Sequence, residues 1–164
     1  MPHILEHPDR SYTLITHDVC AFFDALVDQC RGRVERGGIL IGGRRGPHID
    51  VVKTTFPAGK DRATYYSFRR VDPTHQRIAD RAWRSAHGTL SYVGEWHSHP
   101  HGAIVPSSTD LETWQTVVAS QRTRCAFVLV TPEGWGVFDA TPMQKVTPKM
   151  LDRFESGGTG VVFG

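Results

Sequence analysis

The 164-residue chain carries 39% hydrophobic and 22% charged residues, the composition of one ordinary globular domain with enough apolar material for a core. A formal charge of +2, with Lys and Arg scattered along the chain, excludes the concentrated basic face of a nucleic-acid module. Cys20, Cys30 and Cys125 form no CxxC pair, and their odd number argues against a disulfide framework and for the reduced, buried thiols of a cytoplasmic protein.

The N-terminus lacks a basic region followed by an apolar run, and no stretch reaches the roughly 20 apolar residues of a spanning helix. Neither secretion nor membrane insertion is therefore expected. Residues Ser11 to Thr16 alternate as a short strand, and Val19, Phe22, Phe23, Leu26, Val27 and Cys30 then recur on one face of a helix from Thr16 to Arg31. Gly37 to Gly42 is an apolar strand between glycines, and Ile49 to Thr55 is its hairpin partner across Arg44-Arg45-Gly46-Pro47.

Tyr65 to Arg69 is expected as a further strand. Asp72-Pro73 then opens a second helix that should bury Ile78, Ala79, Ala82, Trp83 and Ala86 and stop near Gly88. Leu90 to Trp96 is strand-like and runs into His97-Ser98-His99-Pro100, where the proline ends regular pairing. A third helix starts at Ser107 or Ser108, with Leu111, Trp114, Val117 and Val118 facing inward, and strands Ala126–Thr131 and Trp135–Asp139 follow. The order is mixed, which predicts an α+β fold with helices packed on a mixed β-sheet. Residues 1–155 form one domain, and the glycine-rich residues 156–164 are expected as a mobile tail.

Side chains alternate along a strand, so His97 and His99 point to one side and can converge on one ion. Asp110, at the start of the third helix, offers a carboxylate. Three protein ligands plus water is the arrangement that leaves a zinc ion open for chemistry. A lone histidine is more often a surface or hydrogen-bonded residue, but two on one face with a carboxylate nearby favour a metal. His101 lies beyond Pro100 and reads as an exposed residue or a substrate contact. Ser107 and Asp110 also have the spacing of a helix capping box. Both roles can coexist for Ser107, whose hydroxyl can also hydrogen-bond an oxyanion.

His97-Ser98-His99, seven residues, then Ser107-Ser108-Thr109-Asp110 resembles the HxH-x7-SxxD motif of the JAMM (JAB/MPN+) metalloproteases. Glu35, followed by Arg36-Gly37-Gly38-Ile39-Leu40-Ile41-Gly42, is similar to the glutamate that this family carries before a glycine-flanked strand. The resemblance implies an MPN/JAB-like, cytidine-deaminase-like fold. It implies Zn2+ held by His97, His99 and Asp110, with Glu35 as the proton carrier and Ser107 assisting the oxyanion. It further implies a deubiquitinase-like isopeptidase whose partners are a ubiquitin-like protein or a conjugated target, together with E1- and E2-like proteins. The Gly94-Glu95-Trp96-His97 context is similar to compact bacterial members of antiphage systems of the CBASS type. A hydrolase acting on a sulfur-carrier protein and an inactive scaffold remain as alternatives. A zinc nucleobase deaminase is excluded, because no HxE is followed by PCxxC. Glu95 is the rival carboxylate, read as support for a ligand histidine or as a surface residue. Segment Phe56 to Arg70 is the expected substrate wall.

Overall fold

The computed structural model describes residues 2–143 and the backbone of strand 150–154. In chain order the elements are β1 (His3–Glu6), β2 (Tyr12–Ile15), α1 (His17–Cys30), β3 (Gly37–Arg45) and β4 (His48–Thr54). They continue with β5 (Arg62–Ala63), β6 (Phe68–Arg69), α2 (Thr74–Ser85), β7 (Ser91–Ser98), α3 (Ser108–Gln121), β8 (Cys125–Thr131), β9 (Gly134–Ala140) and β10 (Met150–Phe154). Eight strands form one sheet in the order β1-β2-β4-β3-β7-β8-β9-β10, while β5 and β6 form a separate two-stranded piece. The β2–β4 and β7–β8 pairs are parallel and the others antiparallel, so the sheet is mixed, as expected for an α+β fold.

Period-two alternation gives each face of the sheet its own core. Leu40, Val51, Ala126, Val128 and Val130 face α1, which buries Val19, Phe23, Leu26 and Val27 against them. Ile39 and Ile41 face α2 through Ala79, and Phe127, Leu129 and Phe138 face α3 through Trp114 and Val118. Because β8 is covered on both sides, Cys125 to Thr131 is an uninterrupted buried run rather than an alternating one. The three cysteines are free and buried. No described helix is long and apolar enough to cross a membrane.

Several boundaries differ from the sequence reading. Strands β1 and β10 were not expected; β1 adds antiparallel to β2, and β10 pairs with β9. Tyr65 and Tyr66 are not in a strand, because Thr64 N donates to Ser67 O at 2.8 Å and turns the chain there, leaving only Phe68–Arg69 to pair with β5. Trp83 is 53% exposed rather than buried, since α2 reaches the sheet through His75, Ile78, Ala79 and Ala82 and its last turn projects past it. The expected tail at 156–164 lies outside the described residues.

Gly94 sits in β7 at φ +157°, beside a shift in the β3–β7 register between Leu40 and Ile41. A Cβ at this position would collide with the carbonyl oxygen of Ala126 on β8, a backbone atom that cannot move without breaking the parallel pairing. Gly94→Ala should therefore cost about 3 kcal/mol or more, from strain and overpacking together. Urea denaturation of the variant checks this, and an unchanged midpoint would contradict it.

Candidate metal centre

The site is assembled at the end of the β3–β7 pair. In that ladder Gly37 lies opposite His97 and Gly38 opposite Trp96. The pairing continues past the end of β3, with Ser98 N donating to Arg36 O at 2.8 Å and Arg36 N donating to Ser98 Oγ at 3.0 Å, while on the other side His99 N donates to Val130 O of β8 at 2.8 Å. One step further out, Glu35 faces His99. Residues opposite each other in a ladder share a face, so Glu35, His97 and His99 all project toward the α2/α3 side. Gly37 leaves room there for the Phe68 ring, which a Cβ would approach to within 2.6 Å.

Helix α3 delivers the carboxylate. Trp114 is 2% exposed, stacks on Phe127 at 4.8 Å and leans on Phe138 at 5.2 Å, which fixes the rotation of the helix. Asp110 lies one turn earlier on the same face and so meets the histidines. The helix start adds a capping box: Asp110 N donates to Ser107 Oγ at 3.2 Å, and Ser107 N donates to Asp110 Oδ2 at 2.7 Å. The Ser107 hydroxyl itself donates to Asp110 Oδ2 at 2.7 Å.

The donor groups of three residues consequently converge. His97 Nε2 and His99 Nε2 are 3.2 Å apart, His97 Nε2 is 3.0 Å from Asp110 Oδ1, and His99 Nε2 is 3.3 Å from Asp110 Oδ2. Among the described residues this is the group of His, Cys, Asp and Glu side chains whose geometry suits a metal ion. Ligands held at about 2.0–2.1 Å around a tetrahedral zinc ion would be roughly 3.3 Å from one another, so the donor set fits that ion. Two imidazole nitrogens and one carboxylate aimed at one point are the nitrogen and oxygen donors that suit a zinc ion.

Glu35 is 7% exposed, and its Oε1 lies 4.0 Å from His99 Nε2. Burial and the charge of Asp110 push its carboxyl above the usual range, more strongly than His99 and His97 pull it down. Asp110 goes the other way: burial alone would raise it, but hydrogen bonds from His97, His99 and Ser107 hold it far below the usual carboxylate range. The two carboxyls of the site are thus shifted in opposite directions, Glu35 upward and Asp110 downward.

The four residues line a cleft of about 980 Å³ whose far wall is Tyr66 to Val71, so part of the segment expected as substrate wall does border the site. That wall is tied down by a polar clip that the sequence reading missed. Asp61 Oδ1 accepts from Val71 N and Asp72 N, both at 2.9 Å, and Oδ2 accepts from Ala58 N at 2.8 Å and pairs with His75 Nε2 at 2.7 Å. His75 Nδ1 meets Thr55 Oγ1 at 2.6 Å, and that hydroxyl also accepts from Ile39 N on β3 at 2.9 Å. His101 is exposed, as expected, and stacks on Tyr65 with ring centroids 4.7 Å apart. Glu95 corrects both of its readings: it supports no histidine and is not a free surface group, because its Oε1 accepts from Arg70 Nη2 at 2.6 Å and from Tyr92 Oη at 3.0 Å.

The model of the family described as prokaryotic homologs of the JAB domain matches residues 21–146, which contain every residue of this centre. The chain belongs to that family. Among curated relatives, a CD-NTase/cGAS isopeptidase of Pseudomonas aeruginosa is 35% identical over 88 residues, 54% of this chain and 56% of the relative. One of the same name from Vibrio cholerae is 32% identical over 101 residues, 62% of this chain and 65% of the relative. The chain therefore spans less than two thirds of the length of either. A probable metalloprotease of Sinorhizobium fredii is 25% identical over 142 residues, 82% of this chain and 81% of the relative. A solved structure from Desulfitobacterium hafniense shares the fold at 20% identity and TM-score 0.55, covering 87% of this chain and 89% of that one.

The clip generates a pH prediction. Burial would raise the Asp61 carboxyl, but bonds from Ala58, His75, Asp72 and Val71 outweigh it and lower it below the usual range. A depressed carboxyl stabilises the fold at pH values above its unfolded pKa of about 3.9, and that contribution is lost as the pH falls below it. Asp61→Asn should lose about 1–3 kcal/mol at neutral pH, because a donor amide replaces an acceptor. The gap to wild type should narrow below about pH 4, which denaturation midpoints across pH would reveal; a gap constant with pH would contradict the assignment.

Proposed function

We propose that the chain is a zinc-dependent isopeptidase, deubiquitinase-like in chemistry, of a bacterial antiviral system of the CBASS type. It would hydrolyse the bond after the C-terminus of a ubiquitin-like modifier or of a protein conjugated by E1- and E2-like partners. The observation that carries this reading is the convergence of His97, His99 and Asp110 on one point, with the buried carboxyl of Glu35 beside it. The names of the Pseudomonas and Vibrio relatives support the isopeptidase class and its defence context.

His97, His99 and Asp110 would hold the zinc ion. When bound, zinc supplies Lewis acidity, bringing the pKa of water from about 15.7 toward 7 and polarising a carbonyl. Glu35 Oε1 takes the proton released as water attacks the scissile carbonyl, then delivers it to the departing amine nitrogen. No covalent bond to the enzyme is needed. The bond from Ser107 Oγ to Asp110 Oδ2 supports a role for Ser107 in orienting the carboxylate. Hydrogen-bonding an oxyanion would require that hydroxyl to turn away from Asp110.

Elemental analysis and cleavage of linear, isopeptide and sulfur-carrier fusions, before and after chelation, test the proposal. Wild type should hold stoichiometric zinc and lose cleavage on chelation; a metal-free, inert wild type would return the chain to a scaffold. His97→Ala and Asp110→Ala should lose zinc. Glu35→Ala should keep zinc and lose about 10²–10⁴-fold in turnover. For Ser107→Ala, a fall of about 10²-fold in kcat at full zinc loading marks an oxyanion donor. A loss of about 10–100-fold in zinc affinity marks the orienting role.

A further inference from the structure

We propose that Arg62 and Arg69 form a carboxylate-reading site on the rim of the cleft, so that the preferred substrate carries acidic side chains close to the bond to be cut. The inference rests on the peptidase reading and names a property of its substrate. Arg62 and Arg69 lie directly opposite each other in the β5–β6 ladder, and both are exposed. Opposite residues of an antiparallel pair share a face, so the two Arg side chains leave the ladder on the same side, and like charges directly opposite each other destabilise a ladder when nothing lies between them. This ladder is two residues long on each strand and has no core of its own to offset that repulsion.

Among the described residues no carboxylate is paired with either arginine, and Asp61, Asp72 and Glu95 are each engaged with other partners. Asp61 holds three backbone amides and His75. Asp72 accepts from Lys60 N and Thr74 N, both at 2.8 Å. Glu95 is bound to Arg70 and Tyr92. Residues 60–70 carry Lys60, Arg62, Arg69 and Arg70 against Asp61 alone, although the whole chain has a formal charge of only +2.

Arg69 lines the same cleft as Glu35, His97, His99 and Asp110, which places the excess positive charge where a bound substrate chain must pass. Planar guanidinium groups take carboxylates in paired hydrogen bonds, the geometry that distinguishes an acidic side chain from a neutral one. A carboxylate bridging Arg62 and Arg69 would also relieve their mutual repulsion, so it gains from both.

The test is an NMR titration of zinc-loaded, isotope-labelled full-length protein, following the side-chain Nε–H signals of Arg62 and Arg69. The probes are three extended glycine-rich peptides that differ only in carrying Glu-Gly-Glu, Gln-Gly-Gln or Lys-Gly-Lys, and a short oligothymidylate. The Glu peptide should move both signals and bind about tenfold or more tighter than the Gln peptide, with the difference shrinking in salt. Arg62→Gln with Arg69→Gln should abolish that preference without lowering the melting temperature, and Arg62→Glu with Arg69→Glu should transfer it to the Lys peptide. Equal binding of the Glu and Gln peptides would overturn the proposal. So would a Glu preference that survives in the double Gln variant, which would locate the carboxylate on the metal, or a response of the two arginines to the oligonucleotide alone. Because the readout is binding, failure of the peptidase reading registers separately, as intact fusions in the cleavage assay.

Discussion

The antiparallel pairing of β3 with β7 decides which side chains can meet at the metal centre. Gly37 opposite His97 sets Glu35 opposite His99. A slip of one residue would turn the β3 side chains and Glu35 toward α1, away from the histidines. Several devices hold this register. The carbonyl and amide of Arg36 both bond to Ser98, Trp96 Nε1 donates across to Thr55 O at 3.0 Å, and Gly94 lets β8 close in on the other side of β7. Chemistry at the surface therefore depends on pairing in the most buried part of the sheet.

Two further supports act independently of that register. Aromatic packing of Trp114 on Phe127 and Phe138 turns α3 so that Asp110 looks at the histidines, and the Asp61–His75–Thr55 clip suspends the opposite wall from β3. The first is apolar and the second polar and almost fully buried, so they respond differently to solvent conditions. A carboxylate that satisfies four donors gives up part of its acceptor capacity when protonated, whereas stacked rings are insensitive to pH.

The sequence reading of the sheet and helices rested on periodicity, and it succeeded where one face of an element is buried. The inward residues of α1 and α3, the β3–β4 hairpin and the strand leading to His97 are legible because alternation and helical spacing are local. The trio His97, His99 and Asp110 was legible for the same reason, since its parts lie within one strand end and one helix start. Contacts between distant segments leave no such trace. Asp61 and His75 look like ordinary polar residues of a loop and a helix, and only the tertiary fold brings them to Thr55 and the amide of Ile39. Trp83 follows the helical spacing of Ile78 and Ala79, but α2 leaves the sheet before its last turn. Strand β1 was missed because His3, Glu6 and His7 mask a pattern that becomes a strand only beside β2.

Asp110 is at once the third donor of the trio and the third residue of helix α3, where its Oδ2 receives the amide and hydroxyl of Ser107. Ordinarily a ligand in a loop can be exchanged during evolution for any other that suits the ion. Here a histidine or a cysteine, both good partners for zinc, lacks the second oxygen that closes the capping box, and a glutamate carries its carboxyl one carbon too far from the backbone. Which donor atom this position can offer a metal ion is thereby inherited from a rule about how helices begin. A change at Asp110 would remove the helix cap and the third donor of the trio in the same step, so this donor set resists gradual conversion to another.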